Sequence, residues 1–373
     1  METIAPTSKS TISIRGVITL TAHAHQTSPD GGADGITPQM KTNVLSSGKL
    51  LEVPFITANS VKGLIRRAAG DVLVEQIMAA KEQISRNLYL SIKRGSYSRT
   101  GIEAGGASYM QMIAANEHIF AGLFGGGAYM YPSKVRMERD LLPMVESIRD
   151  VFPERYQAIC VDVQPYQILK KILIASRDDF QRLPEGGFIE NAEEAYVEHM
   201  SAKFGANQAK KAQKAEAKAE GQYVAKDEKI KTSDLNTYTQ VETMIPGTPL
   251  FFGITASSVN AAQIGLLLTA IQRWANANAL GGGSTRGRGS FKAALSMYEG
   301  DAVVIDQLLV GDAGAYTLSE KAAHYTAELQ KALIGGQASA QKLAAIYPSE
   351  IKMDSAEKAP KGKRASKDAE AEA

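Results

Sequence analysis

At 373 residues the chain is long enough to bury a sizeable core and to form one elaborated domain or two ordinary ones. Hydrophobic residues make up 44% and charged residues 22%, which excludes an intrinsically disordered chain; the single cysteine, Cys160, excludes a disulfide framework or a cysteine-based zinc site within one chain. The net charge of +2 is close to neutral, so a polyanion has to be met by local clusters rather than by the overall field. A reducing cytoplasm suits this composition: Met1 to Ser10 lacks the basic-then-apolar order of a secretory signal, and the most apolar stretch, Ile264 to Ile271, is too short to span a bilayer.

The first periodic segment, Ile12, Ile14, Val17, Ile18 and Leu20, reads as a strand. A turn-rich loop follows from His25 to Lys41, punctuated by Pro29-Asp30-Gly31-Gly32 and Asp34-Gly35. After the short run Val53-Pro54-Phe55-Ile56, the spacing of Val61, Leu64, Ile65, Ala68 and Val72 predicts a helix capped by Asn59 or Ser60. From Ile84 to Thr100 the chain is basic and aromatic. A second helical stretch ends at Leu123-Phe124, broken by Gly125-Gly126-Gly127, and a strand runs through Val135 and Met137. Between Glu190 and Gln240 the composition shifts to Ala, Lys and Glu, as in an insertion projecting from the core. Strand-like sequence returns from Thr239 to Ala256, followed by an amphipathic helix with Ile264, Leu267, Leu268, Ile271 and Trp274 or Ala275 inward. From about Lys352 the chain reads as a disordered tail. This alternation suits an α+β domain with an antiparallel sheet backed by helices.

Several segments ask for phosphate. In the helix starting near Ser60, Lys62 and Arg66 lie on one face with Arg67 beside them, and both their mutual repulsion and the helix dipole disfavour them there unless an anion sits at that end. A solvated cationic face is the competing reading. In Gly281-Gly282-Gly283-Ser284-Thr285-Arg286-Gly287-Arg288-Gly289, glycines such as Gly283 and Gly287 let backbone N–H groups form an anion-binding concavity, and Arg286 and Arg288 add planar donors; a flexible linker is the alternative. Arg86, Tyr89, Lys93, Arg94, Tyr97 and Arg99 interleave cations with rings, as a polynucleotide requires, although a solvated loop with core tyrosines has the same composition. In the insertion, Lys203, Lys210, Lys214 and Lys218 share a helical stripe, which also suits a mobile solvated helix.

The chain resembles the RAMP-superfamily backbone subunits of multi-subunit CRISPR effectors, the "Cas seven" family, and most closely those of type IV systems. Four segments carry this, in the same order over about Ile12 to Phe291. Pro54-Phe55-Ile56-Thr57-Ala58-Asn59-Ser60-Val61-Lys62-Gly63-Leu64-Ile65-Arg66 resembles the family's strand-to-helix motif. Gly122-Leu123-Phe124-Gly125 with Ser133-Lys134-Val135-Arg136 resembles its Leu-Phe-Gly turn and next strand. Glu242 to Pro246-Gly247-Thr248, then Leu250-Phe251-Phe252-Gly253-Ile254, resembles its Pro-Gly-Thr strand, and Gly281 to Gly289 its Gly-rich, Arg-containing loop. The resemblance implies an RRM-like, ferredoxin-like palm with an antiparallel sheet, inserted helical fingers and a protruding thumb. It implies one elaborated domain over 1–350, with palm segments at about 11–80, 120–190 and 239–300, fingers at about 84–117, a thumb insertion at about 190–240 and a helical extension at about 300–350, ahead of the tail at 351–373.

It further implies that copies line up along a crRNA, with Ser60, Lys62, Arg66, Arg286 and Arg288 on the RNA backbone. The partners it implies are the crRNA, a target DNA or RNA read by guide pairing, and other copies of the chain. Other effector subunits follow too: RAMP-type cap and crRNA-processing subunits, a large subunit and a helicase. No cofactor, metal or membrane is implied. In type III relatives the loop after the first strand holds an aspartate that cuts target RNA near a metal ion. Here that loop contains Asp30 and Asp34, while Ile36 to Lys41 has no carboxylate and the aligned position falls near Ile36 or Thr37. The expectation is therefore a non-enzymatic guide holder; the alternative is a type III-like, metal-dependent endonuclease with Asp34 as its candidate residue. His23 and His25 alternate along a strand and would suit a metal, but no third ligand is evident, and RNA contacts or plain surface residues are the other reading. A small-molecule phosphate enzyme built on the Gly281 loop lacks a general base nearby in sequence.

Overall fold

The structure is a computed structural model that describes residues 9–29, 36–95, 107–176 and 237–348. In chain order the elements used below are β1 (Ser10–Leu20), β2 (Ile36–Thr37), β3 (Lys41–Ser46), β4 (Lys49–Pro54), α1 (Ala58–Ala79), α2 (Arg86–Arg94), α3 (Tyr109–Glu117), α4 (Ala121–Phe124), β5 (Val135–Met137), α5 (Glu154–Gln157), β6 (Leu169–Ser176), β7 (Thr237–Met244), β8 (Pro249–Val259), α6 (Ala261–Ala277), β9 (Phe291–Glu299), β10 (Ala302–Ile305), α7 (Ala323–Ala332) and α8 (Ala340–Ile346).

The main sheet has the order β10-β9-β1-β8-β5 with antiparallel neighbours. Strand β1 leads through α1 to β5, and β8 leads through α6 to β9, so β8 lies between β1 and β5 as in a split β-α-β, ferredoxin-like unit. The fold is α+β. Alternation gives the sheet two faces. Ile12, Ile14 and Ile18 of β1, Phe252 and Ile254 of β8, and Leu295 and Met297 of β9 join the helices in one core. Phe251 points the other way, into a second cluster with Val53, Phe55, Met144, Phe152 and Tyr156, which seats the β3–β4 hairpin. A second sheet, β2-β7-β6, stands beside the first.

Local chemistry explains several differences from the sequence reading. Thr57, not Asn59 or Ser60, caps α1, because its hydroxyl accepts the Ser60 N–H. The second helical stretch is two helices, α3 and α4, interrupted where His118 takes an extended conformation. The strand-like sequence from Thr239 to Ala256 forms two strands, β7 and β8, separated at Pro246-Gly247, where Gly247 has positive φ. His23 and His25 follow the end of β1 instead of lying in it. The β3–β4 hairpin occupies the stretch between the loop that ends at Lys41 and the apolar run that starts at Val53, where the sequence reading places no element. Among the described residues no helix is long and apolar enough to cross a membrane. The span expected to hold the thumb, and the lysine stripe in it, lies outside the described residues except where β7 begins.

Candidate nucleic-acid interface

The cations at the start of α1 have separate fates. Arg66 is 8% exposed, and its guanidinium donates to the carbonyls of Ile92 (3.0 Å), Phe124 (2.8 Å), Ser91 (2.7 Å) and Gly125 (3.1 Å) while lying over the Phe120 ring. It fastens α1 to the end of α2 and to the Phe124-Gly125 turn, where Tyr347 also donates to the Gly125 carbonyl at 2.9 Å. This corrects the expectation of an RNA contact: the fork is filled by main-chain acceptors. Lys62 is half-buried and donates to the Val135 carbonyl at 2.7 Å; burial first, and then Arg66, hold its pKa below the ordinary lysine value. The α1 N-terminus already has its anion, since the Ala58 N–H donates to the Asp140 carboxylate at 2.7 Å. Phosphate is therefore not needed to relieve either residue.

Arg67 and Ser60 differ. Arg67 is exposed. The Ser60 hydroxyl accepts from Thr57 Oγ1 at 2.7 Å, which leaves its own proton to donate outward. Both residues line a cleft of about 400 Å³ together with Gln26, Thr27, Asn59, Gly63 and Leu64 of the neighbouring segments and with Gly281 and Gly282 of the glycine-rich loop. Two of the segments singled out in the sequence thus meet across one groove.

The glycine-rich loop joins α6 to β9. Its stalks are pinned to the segment after β1: the Gly282 N–H donates to the His25 carbonyl (2.7 Å) and the Gly289 N–H to the His23 carbonyl (2.8 Å). Gly281 and Gly289 both have positive φ, and a Cβ would collide with the His25 carbonyl at the first and the Leu280 carbonyl at the second. The loop is thus a held structure and not a flexible linker. It is not the expected amide concavity throughout, because the N–H groups of Arg286 and Arg288 donate to the Gly283 carbonyl and that of Gly287 to the Ser284 carbonyl. Its exposed donors include the side chains of Ser284, Thr285 and Arg286, while Arg288 is half-buried, packed over Gly283 and close to His25.

His25 is buried, with Nδ1 donating to the Glu242 carbonyl (2.7 Å) and Nε2 accepting from the Thr27 hydroxyl (3.0 Å). Burial, helped by Arg288 and opposed by the Glu242 carbonyl, holds its pKa below the ordinary value. His23 Nδ1 meets Thr243 Oγ1 at 3.1 Å. These rings tie the loop to β7, and among the described residues no three His, Cys, Asp or Glu side chains gather as a metal site.

Of the α2 cations, Lys93 is bonded to Asp71 and to the Arg67 carbonyl, whereas Arg86 and Arg94 are exposed, as is the Tyr89 ring. Arg99, Tyr97, Asp30 and Asp34 lie outside the described residues. Gln26 and Thr27 were not singled out in the sequence; they line the cleft only because the glycine loop is bonded back to His25 beside them.

No family model and no curated protein matches the chain. Among solved structures the chain is similar to one described as "Type IV-B CRISPR Complex", with a TM-score of 0.42 and 14% identity, covering 77% of this chain and 90% of that one.

Proposed function

We propose that this chain is a guide-RNA-binding backbone subunit of a type IV-like CRISPR ribonucleoprotein in the cytoplasm, one that holds RNA instead of cutting it. Copies stack along the crRNA and present it, with the other effector subunits, for pairing with a target nucleic acid. The observation that carries this reading is the meeting of Ser60 and Arg67 with Gly281 and Gly282 across one open cleft. These residues belong to, or adjoin, the strand-to-helix and Gly-rich segments on which the family resemblance rests. Hydroxyl and guanidinium donors on a held backbone grip phosphate without reading bases, which a holder of any guide requires.

The test is binding of the full chain to labelled single-stranded RNAs of unrelated sequence across a salt series. Arg67→Ala with Arg286→Ala should weaken all sequences alike, and the log–log salt slope should shallow by about 1.4, at about 0.7 per phosphate contact on a single strand. An unchanged slope, or a change in sequence preference, would sink the reading. RNA incubated with magnesium should stay intact; cleavage that Asp34→Ala removes would make the chain an endonuclease instead.

A further inference from the structure

A second hollow, of about 410 Å³, is linked to the first cleft by hydrogen bonds through one residue. That residue is Gln39, 1% exposed, whose side-chain oxygen accepts from the Gln26 N–H at 2.9 Å and whose backbone N–H donates to the Glu242 carboxylate at 3.2 Å. Gln26 lines the first cleft and Glu242 the second. The remaining walls of the second are Lys41, Tyr166, Leu169, Lys170 and Lys171.

Lys41 is already neutralised, 3.3 Å from Glu242 and 3.7 Å from Glu52. Lys170 and Lys171 are exposed, and among the described residues no carboxylate pairs with them. Strand pairing sets Lys170 opposite Thr243 and Lys171 opposite Glu242. Thr243 Oγ1 donates to the Lys170 carbonyl at 3.1 Å and also meets His23, whose carbonyl anchors Gly289, so the β6 backbone that carries these lysines is tied to the glycine loop. Beside them the Tyr166 ring is 70% exposed. Its turn is rigid: Pro165 and Ile168 are buried, Gln164 and Gln167 cap one another, and the Ile168 carbonyl accepts from Ile245 at 2.9 Å. An aromatic ring held in water on a rigid turn, beside exposed lysines, is the composition of a base-stacking platform.

We propose that this hollow is a second subsite for single-stranded nucleic acid, continuous with the first cleft across Gln39, where one base stacks on Tyr166 and adjoining phosphates meet Lys170 and Lys171. It rests on the reading of the first cleft as the RNA groove. The experiment measures binding of the full chain to oligouridines of increasing length, and to matching oligodeoxythymidines to separate RNA from DNA. Tyr166→Ala should weaken the longer oligomers about 5- to 150-fold and leave the shortest that bind unchanged, with Tyr166→Phe near wild type. Lys170→Ala with Lys171→Ala should shallow the salt slope for long oligomers by about 1.4. A loss confined to the uridine series assigns the subsite to RNA, and an equal loss in both series to any single strand. If Tyr166→Ala binds every length like wild type, or loses all lengths equally, while Arg67→Ala still weakens binding, this subsite is overturned and the first cleft stands. Wild-type chain indifferent to every length at low salt would overturn the first reading itself, and this one with it.

Discussion

Arg66 and Arg67 are adjacent in sequence and opposite in circumstance. Arg66 sits beneath α2 and the Phe124-Gly125 turn with its donors on four main-chain carbonyls, whereas Arg67 projects into the cleft facing Gly281 and Gly282. The difference teaches that a cluster of cations is not one site. A helix turns about 100° per residue, so neighbouring side chains meet different surroundings, and the acceptors around each decide its role. Buried carbonyls without a donor are costly, so Arg66 stabilises the junction it fills. Arg67 has its charge available for a ligand.

The harshest way to break this contrast is Arg66→Ala. The Ile92 and Phe124 carbonyls would lose their donor at a buried junction, while those of Ser91 and Gly125 would keep the Gly95 N–H and the Tyr347 hydroxyl. At about 1–3 kcal/mol for each buried group left unsatisfied, the expected loss is about 2–6 kcal/mol, a large share of a marginally stable domain's stability. Urea unfolding followed by circular dichroism checks this, and Arg66→Lys, which keeps the charge but not the fork, should lie between. If the alanine variant keeps wild-type stability and loses only RNA, the assignment of Arg66 to structure is wrong.

A somewhat smaller effect comes from the other side of the same junction. His118 Nε2 donates to the Gln337 carbonyl at 2.6 Å, while Nδ1 accepts from the Phe120 and Ala121 N–H groups, both at 3.2 Å. Only the neutral ring can do both. Burial, opposed by the Gln337 carbonyl, pushes its pKa down from 6.5 to about 4. The unfolded chain therefore takes up this proton first as pH falls. The stabilisation is complete above pH 6.5 and lost as pH drops towards 4, by at most about 3 kcal/mol. Comparing unfolding at pH 7.5 and 4.5 in wild type and His118→Gln checks the sign: the variant's curve should be flatter over that window, and an equal slope would remove His118 from the account.

These two groups also mark where the sequence stops being legible. Val61, Ile65, Ala68 and Val72 declare α1, and Ile264, Leu267, Leu268 and Ile271 declare α6, because a helix buries a stripe with a local period. The ends of the glycine loop are legible for a similar reason, since positive φ leaves a composition behind. Arg66 was misread because its partners are carbonyls, which have no letter in the sequence and reach it from distant segments. Asp140 at the α1 N-terminus was missed for the same reason, and that omission made phosphate look necessary there. The β3–β4 hairpin escaped notice because Leu45 and Leu50, a cross-strand pair, are exposed and blur its alternation.

The glycine loop sharpens the contrast further. Gly289→Ala forces positive φ on a residue whose Cβ would press on the Leu280 carbonyl, at the point where the loop is bonded to His23. The expected destabilisation is about 1–3 kcal/mol, together with weaker RNA binding as the Gly281 wall shifts. A variant with unchanged stability and unchanged affinity would show that the loop is a linker after all.

The smallest effect on stability belongs to Arg67→Ala. The side chain is exposed and its guanidinium makes no hydrogen bond or ion pair among the described residues, so unfolding should change by no more than about 0.5 kcal/mol. On RNA, the same change should lower affinity for every sequence and shallow the salt slope by about 0.7. Stability and binding are therefore expected to move in opposite proportion at two consecutive positions, and the pair is more telling than either alone. General unfolding cannot imitate a variant that melts like wild type yet releases phosphate, and loss of a ligand contact cannot imitate one that fails to fold. If Arg67→Ala instead melted early and bound RNA normally when folded, the cleft facing Gly281 would be a packing seam, and the nucleic acid would have to run elsewhere.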